Sequence, residues 1–161
     1  MNMQWTSIRA SLRNLRRDCG GAAMLEVAVV APVLLTLGLG VIEFGNIIYK
    51  THRMQNAVRD AARYASGLPA NCCAADVQKI AARGSLVSGA PLLMTDLPES
   101  QISVGYVDVD NSAYTYRGGD KISTVTVSAY IPYTGFGFLG YLQLTPPTLV
   151  ASHQERVIGL R

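Results

Sequence analysis

Residues 21–67 read GAAMLEVAVVAPVLLTLGLGVIEFGNIIYKTHRMQNAVRDAARYASG. The first half, Ala22 to Ile42, is apolar apart from one acid, Glu26. About 20 such residues cross a hydrocarbon core of about 30 Å, so 22–42 is read as a transmembrane helix. Beyond Glu43 the spacing becomes amphipathic. Phe44, Ile47, Ile48, Met54, Val58, Ala61, Ala62 and Ala65 fall on one side, and Lys50, Arg53, Arg59, Asp60 and Arg63 largely on the other, the pattern of a helix laid on a small domain. Ala22 to about Ser66 therefore reads as one helix of about 68 Å. Pro32 should kink it, because its ring removes a hydrogen bond and crowds the preceding turn. Gly67 in a left-handed cap, followed by Pro69, should end it.

Glu26 is the residue in this helix that asks for an explanation. A carboxylate at the centre of a membrane helix costs about 2.5 to 3.5 kcal/mol on insertion scales, and such an acid marks a function by default. A cut after Gly21 would give Ala22 a free amine, with a pKa of roughly 7.7 to 8 and a positive charge at neutral pH. Four helical residues separate Ala22 from Glu26, about 6 Å along the axis. The acid can then meet its own amine or that of a staggered neighbour. Glu43 stands about 31 Å from Ala22 by helical rise, where a bilayer ends, and reads as an interfacial acid, with a subunit-pairing role as the alternative. Ala31, Gly38 and Gly45 recur every seven residues on about one face. They suit close approach by another helix, although glycine is also simply common in membrane helices.

A basic leader, glycine before an apolar helix, and glutamate five residues on resemble the prepilin processing site of type IV filament systems. The longer run is similar to the TadE-like minor pseudopilins of the tight-adherence (Flp) pilus machinery. It has a Gly-Ala-rich start, Glu26, an apolar core interrupted by Pro32, the I-E-F-G exit at 42–45 and the A-A-R-Y-A helix end at 61–65. The resemblance is close over 21–67 and holds only in outline beyond. Val27 departs from it, since related pilins often carry Tyr or Phe after the glutamate. The resemblance implies processing by a prepilin peptidase between Gly21 and Ala22, a role for Glu26 in assembly, and other pilins, pseudopilins and Tad pilus assembly proteins as partners.

Charge agrees with a membrane topology and with little else. The formal charge is +3, and the leader accounts for all of it through Arg9, Arg13, Arg16 and Arg17 against Asp18. Ten basic and ten acidic residues remain after Gly21, so no electrostatic argument for nucleic acid arises. Arginines beside a first membrane segment hold that end in the cytoplasm. The expected location is thus a bacterial inner membrane, crossed once, with the C-terminal domain periplasmic and in contact with pilus components. A secretory signal peptide is the competing reading. Against it, no A-x-A-like site closes the apolar run, and the Gly-Gly pair precedes that run.

The domain plan that follows is a leader at 1–21, the membrane helix at 22–42 and an outer domain at 43–161. The outer domain comprises a helix extension (43–66), a loop region (67–100) with a short helix near Asp76 to Arg83, and a β region (101–161). In the β region Ile102, Val104 and Tyr106 alternate with polar or small residues. After a Gly118-Gly119 turn, Val125, Val127, Ala129 and Ile131 do so too. Tyr114 to Tyr130 should lie at the centre of a hairpin or small antiparallel sheet, with 132–146 a long loop and Thr148 to Ile158 a returning strand. The fold class is α+β, a long N-terminal helix followed by a small antiparallel sheet.

Catalytic chemistry finds no constellation. His52 and His153 stand outside any recognisable nucleophile or metal pattern, and surface or strand-exposed positions explain both. Asp108, Asp110 and Asn111 lack the glycine and terminal glutamate of a calcium loop and read as a solvated turn. Neither a cofactor nor a metal is expected, and an enzyme is not. Adjacent Cys72 and Cys73, in an oxidising compartment, either pair with each other or cross-link to another subunit. Two functional readings remain: a minor pilin or pseudopilin of a Tad/Flp-type adhesion pilus, and an uncleaved single-pass envelope protein whose outer domain binds another envelope component.

Overall fold

The computed structural model describes residues 19–87 and 89–158. Most of the leader, including its four arginines and Asp18, lies outside them. Two compact units divide the chain, Met1–Ile42 and Glu43–Arg161.

Helix α1 runs Cys19–Ser66, through Pro32. It begins three residues before the expected Ala22, because glycine in a helix costs only about 0.5–1 kcal/mol relative to alanine and does not forbid helical geometry. Its end also differs from expectation. Gly67 does not take the left-handed conformation; its N–H reaches Tyr64 O at 3.2 Å and Leu68 N–H reaches Ala65 O at 3.1 Å, tight i→i−3 bonds that use up the last carbonyls. The left-handed glycine is instead Gly84, φ 67°, which closes helix α2 (Ala74–Arg83) with a bond to Ile80 O. A 3-10 turn, Glu99–Gln101, leads into the sheet.

Three strands, β1 (Ile102–Asp110), β2 (Lys121–Pro132) and β3 (Thr148–Arg156), form an antiparallel sheet in the order β1-β2-β3. Val104 faces Val127, Ile102 faces Ala129, Ala129 faces Ala151 and Ile131 faces Leu149. The period of two sends these residues to one face, where they share a core with Met54, Ala57, Val58, Ala61, Ala62 and Ala65 of α1 and with Val77, Ala81 and Ala82 of α2. Spacings of three and four on α1 produce that stripe. The other face of the sheet carries Thr124, Thr126 and Ser128, and Ser128 Oγ lies 2.9 Å from Ser152 Oγ.

Two local expectations are corrected. Phe44 and Ile48 are exposed, although both were placed on the core side. The loop after β2 contains a one-turn helix, α3 (Phe138–Tyr141), entered through Gly137 at φ 89°.

Candidate functional site

The proposed junction, Gly21–Ala22, lies in the first turn of α1. A peptide bond there is helical, and a protease that takes an extended substrate must unwind that turn. Gly20 and Gly21 ease this, because glycine loses more freedom on entering a helix than any other residue. Among the described residues, nothing outside the helix's own turn and the adjoining residues lies within 4 Å of where a side chain at Gly21 would begin. Ala22 and Glu26 are exposed, with Glu26 one turn beyond Ala22 on the same helix.

All the large apolar side chains from Met24 to Ile42 are exposed as well. An apolar surface of this extent marks contact with a membrane or another protein. It is a helix long and apolar enough to cross a bilayer, compatible with a single-pass membrane protein.

In the second unit, the start of the helix extension is tied to the loop after β2. Glu43 is only 2% exposed, held inside the fold and not free on the helix surface. Its carboxylate accepts the Phe136 N–H at 3.2 Å, and its backbone carbonyl accepts the Tyr133 hydroxyl at 3.3 Å. Asn46 Nδ2 donates to the same hydroxyl at 2.9 Å. A Cβ on Gly135 would overlap both Glu43 Oε1 and the Tyr133 ring, so the loop approaches the carboxylate only because residue 135 has no side chain. One turn on, Lys50 Nζ donates to Asp96 Oδ2 at 2.5 Å and to Thr134 O at 2.8 Å, while Thr134 Oγ1 donates to Asp96 Oδ2 at 3.2 Å. Lys50, read as part of the solvated side, is therefore half-buried.

These contacts move two proton equilibria. The hydrogen bond from Lys50 holds the Asp96 carboxyl below its ordinary range, against a smaller opposing effect of burial. Burial pushes the Tyr133 hydroxyl up, and the nearby Glu43 charge adds to it, against the lowering effect of the Asn46 bond.

Elsewhere, Cys72 and Cys73 are bonded to each other just before α2. Cys72 O accepts the Tyr106 hydroxyl at 3.0 Å, which joins this loop to β1. Asn111 is buried, not part of a solvated turn. Its Nδ2 donates to Tyr116 O and Gly119 O, both at 2.8 Å, and its Oδ1 accepts Tyr116 N–H at 2.9 Å. It holds the β1–β2 connection together. His52 is exposed, whereas His153 is half-buried opposite Val127 and bonds Glu155 at 3.0 Å.

The fold and the exposed helix define a class, an α+β domain carried on a helix fit for a membrane. The family model described as TadE-like protein matches residues 21–63, the segment that contains Gly21, Glu26, Glu43 and the start of the core stripe. The chain thus carries a segment similar to TadE-like proteins, over its apolar helix and the first part of the helix extension. No curated protein and no solved structure matches the chain.

Proposed function

We propose that the chain is a minor pilin or pseudopilin that serves assembly of a Tad/Flp-type adhesion pilus. It is made as a precursor in the inner membrane, cut between Gly21 and Ala22 by a prepilin peptidase, and used through its exposed helix. The observation that carries this reading is the family match, which begins at Gly21 and takes in the whole apolar helix with its single acid. The arginine-rich leader stays cytoplasmic by the positive-inside rule, so the cut falls on the cytoplasmic side and the outer domain faces the periplasm. Its role is structural and not enzymatic.

On this reading the freed Ala22 amine supplies the counter-charge that Glu26 lacks. Subunits dock helix against helix, and the pair is sheltered in the bundle. The experiment is Gly21→Ala. A methyl group there meets no other side chain among the described residues, so the variant should insert and fold normally while its precursor accumulates. Efficient maturation of the variant to an Ala22 N-terminus would overturn the proposed junction.

A further inference from the structure

We propose that the loop of residues 133–147 is an interfacial anchor, seating the outer domain on the lipid headgroup surface beside the point where α1 enters the bilayer. The loop reads YTGFGFLGYLQLTPP and contains no charged side chain. It is held in shape. Tyr133 N–H bonds Pro147 O at 3.0 Å across its stem, Leu144 N–H bonds Leu139 O at 2.8 Å, and Leu139 packs against the core. From this frame Phe136 and Tyr141 project outward, 76% and 80% exposed, together with Leu142 and Leu144. Large apolar side chains grouped on an ordered loop mark an interaction surface.

Covalent continuity identifies the occupant. Phe136 N–H bonds the carboxylate of Glu43, and Glu43 follows Ile42, the last residue of the apolar span. The loop is therefore fastened to the residue at which the span ends, the depth of the headgroups. Aromatic rings are favoured at that depth, where an apolar body and a polar edge both find partners. Without charge of its own, the loop gains from apolar burial and not from anionic lipid. The proposal rests on the membrane-spanning reading of 22–42 and is independent of processing.

The test uses the full chain with its single tryptophan removed (Trp5→Phe) and a reporter introduced by Phe136→Trp, Tyr141→Trp or, as control, Tyr116→Trp at the opposite end of β2. Each is reconstituted into phosphatidylcholine vesicles. Carbonate washing reports the span, and fluorescence reports the loop. Expected are carbonate-resistant chains whose emission at 136 and 141 is blue-shifted relative to 116. That emission should be quenched more by doxyl groups near the headgroup than near the chain end, and be unaffected by high salt. Carbonate-resistant chains with unquenched, water-like emission at 136 and 141 would overturn the anchor alone. So would a blue shift that grows with protein density without lipid quenching, the signature of a second copy. Chains washed off by carbonate would overturn the span and the anchor together.

Discussion

The Glu43 carboxylate accepts the backbone N–H of Phe136 across ninety-three residues of sequence. A single bond thus joins the residue after the apolar span to the loop after β2, and Gly135 makes the approach possible. Hydrogen bonds to charged acceptors contribute about 1.5–3 kcal/mol. Glu43→Ala should lower stability by about that amount, and Glu43→Gln, which keeps an acceptor of the same shape, by less. Chemical denaturation of the detergent-solubilised chain measures both, and equal losses would show that the carboxylate is not the acceptor that matters.

The pH dependence of the same corner is set by Asp96 and Tyr133. A carboxyl held below its ordinary value of 3.8 stabilises the fold above that pH and loses its contribution as pH falls through the lowered value. Tyr133 is raised from 10.0, so its contribution is full below pH 10.0 and is lost as pH rises through the raised value. Asp96→Asn should flatten the acid limb of a stability profile, and Tyr133→Phe the alkaline limb. Unchanged limbs in both variants would contradict these assignments.

Met54, with no exposure, is among the largest side chains in the core. Truncation of such a residue costs about 2–5 kcal/mol through lost burial and the cavity left behind. Met54→Ala should therefore shift the denaturation midpoint markedly, whereas Ile48→Ala, on an exposed position, should shift it little. Similar losses in the two variants would move the core boundary on α1.

The elements were legible because each follows from local spacing. The three- and four-residue stripe from Met54 to Ala65 produced the buried helix face, and the alternation at 125–131 produced the central strand. Phe44 and Ile48 were misread because hydrophobicity states what burial would favour, not which side of the helix the domain covers. Glu43 and Ile47 face the domain, and Phe44 and Ile48, each one residue on, are turned about 100° away from it. Glu43 and Lys50 were missed because their partners, Phe136, Thr134 and Asp96, lie far away in the chain, and a polar residue carries no mark of a distant partner. Gly135 was the available signal, a glycine in a loop whose neighbours would not tolerate a side chain. Asn111 had a similar signal in the glycines at 118 and 119, whose carbonyl and turn geometry an asparagine amide can staple.

Glu26 should matter for assembly and not for insertion or cutting. Glu26→Gln removes the cost of a carboxylate in lipid but leaves the Ala22 amine without its counter-charge. Breaking one side of a buried pair typically costs about 3–5 kcal/mol. The variant should be processed and membrane-bound, yet fail to co-purify with pilus components and reduce piliation. Normal pull-down and piliation would make Glu26 a tolerated helix-end acid.

The most direct measurement of the central claim is the N-terminal sequence and intact mass of the membrane-bound protein from cells that carry the Tad machinery. The account predicts a chain that begins at Ala22, with residues 1–21 removed and the apolar helix retained. A chain that keeps residues 1–21, or one cut beyond Ile42 so that the helix is lost, would contradict it.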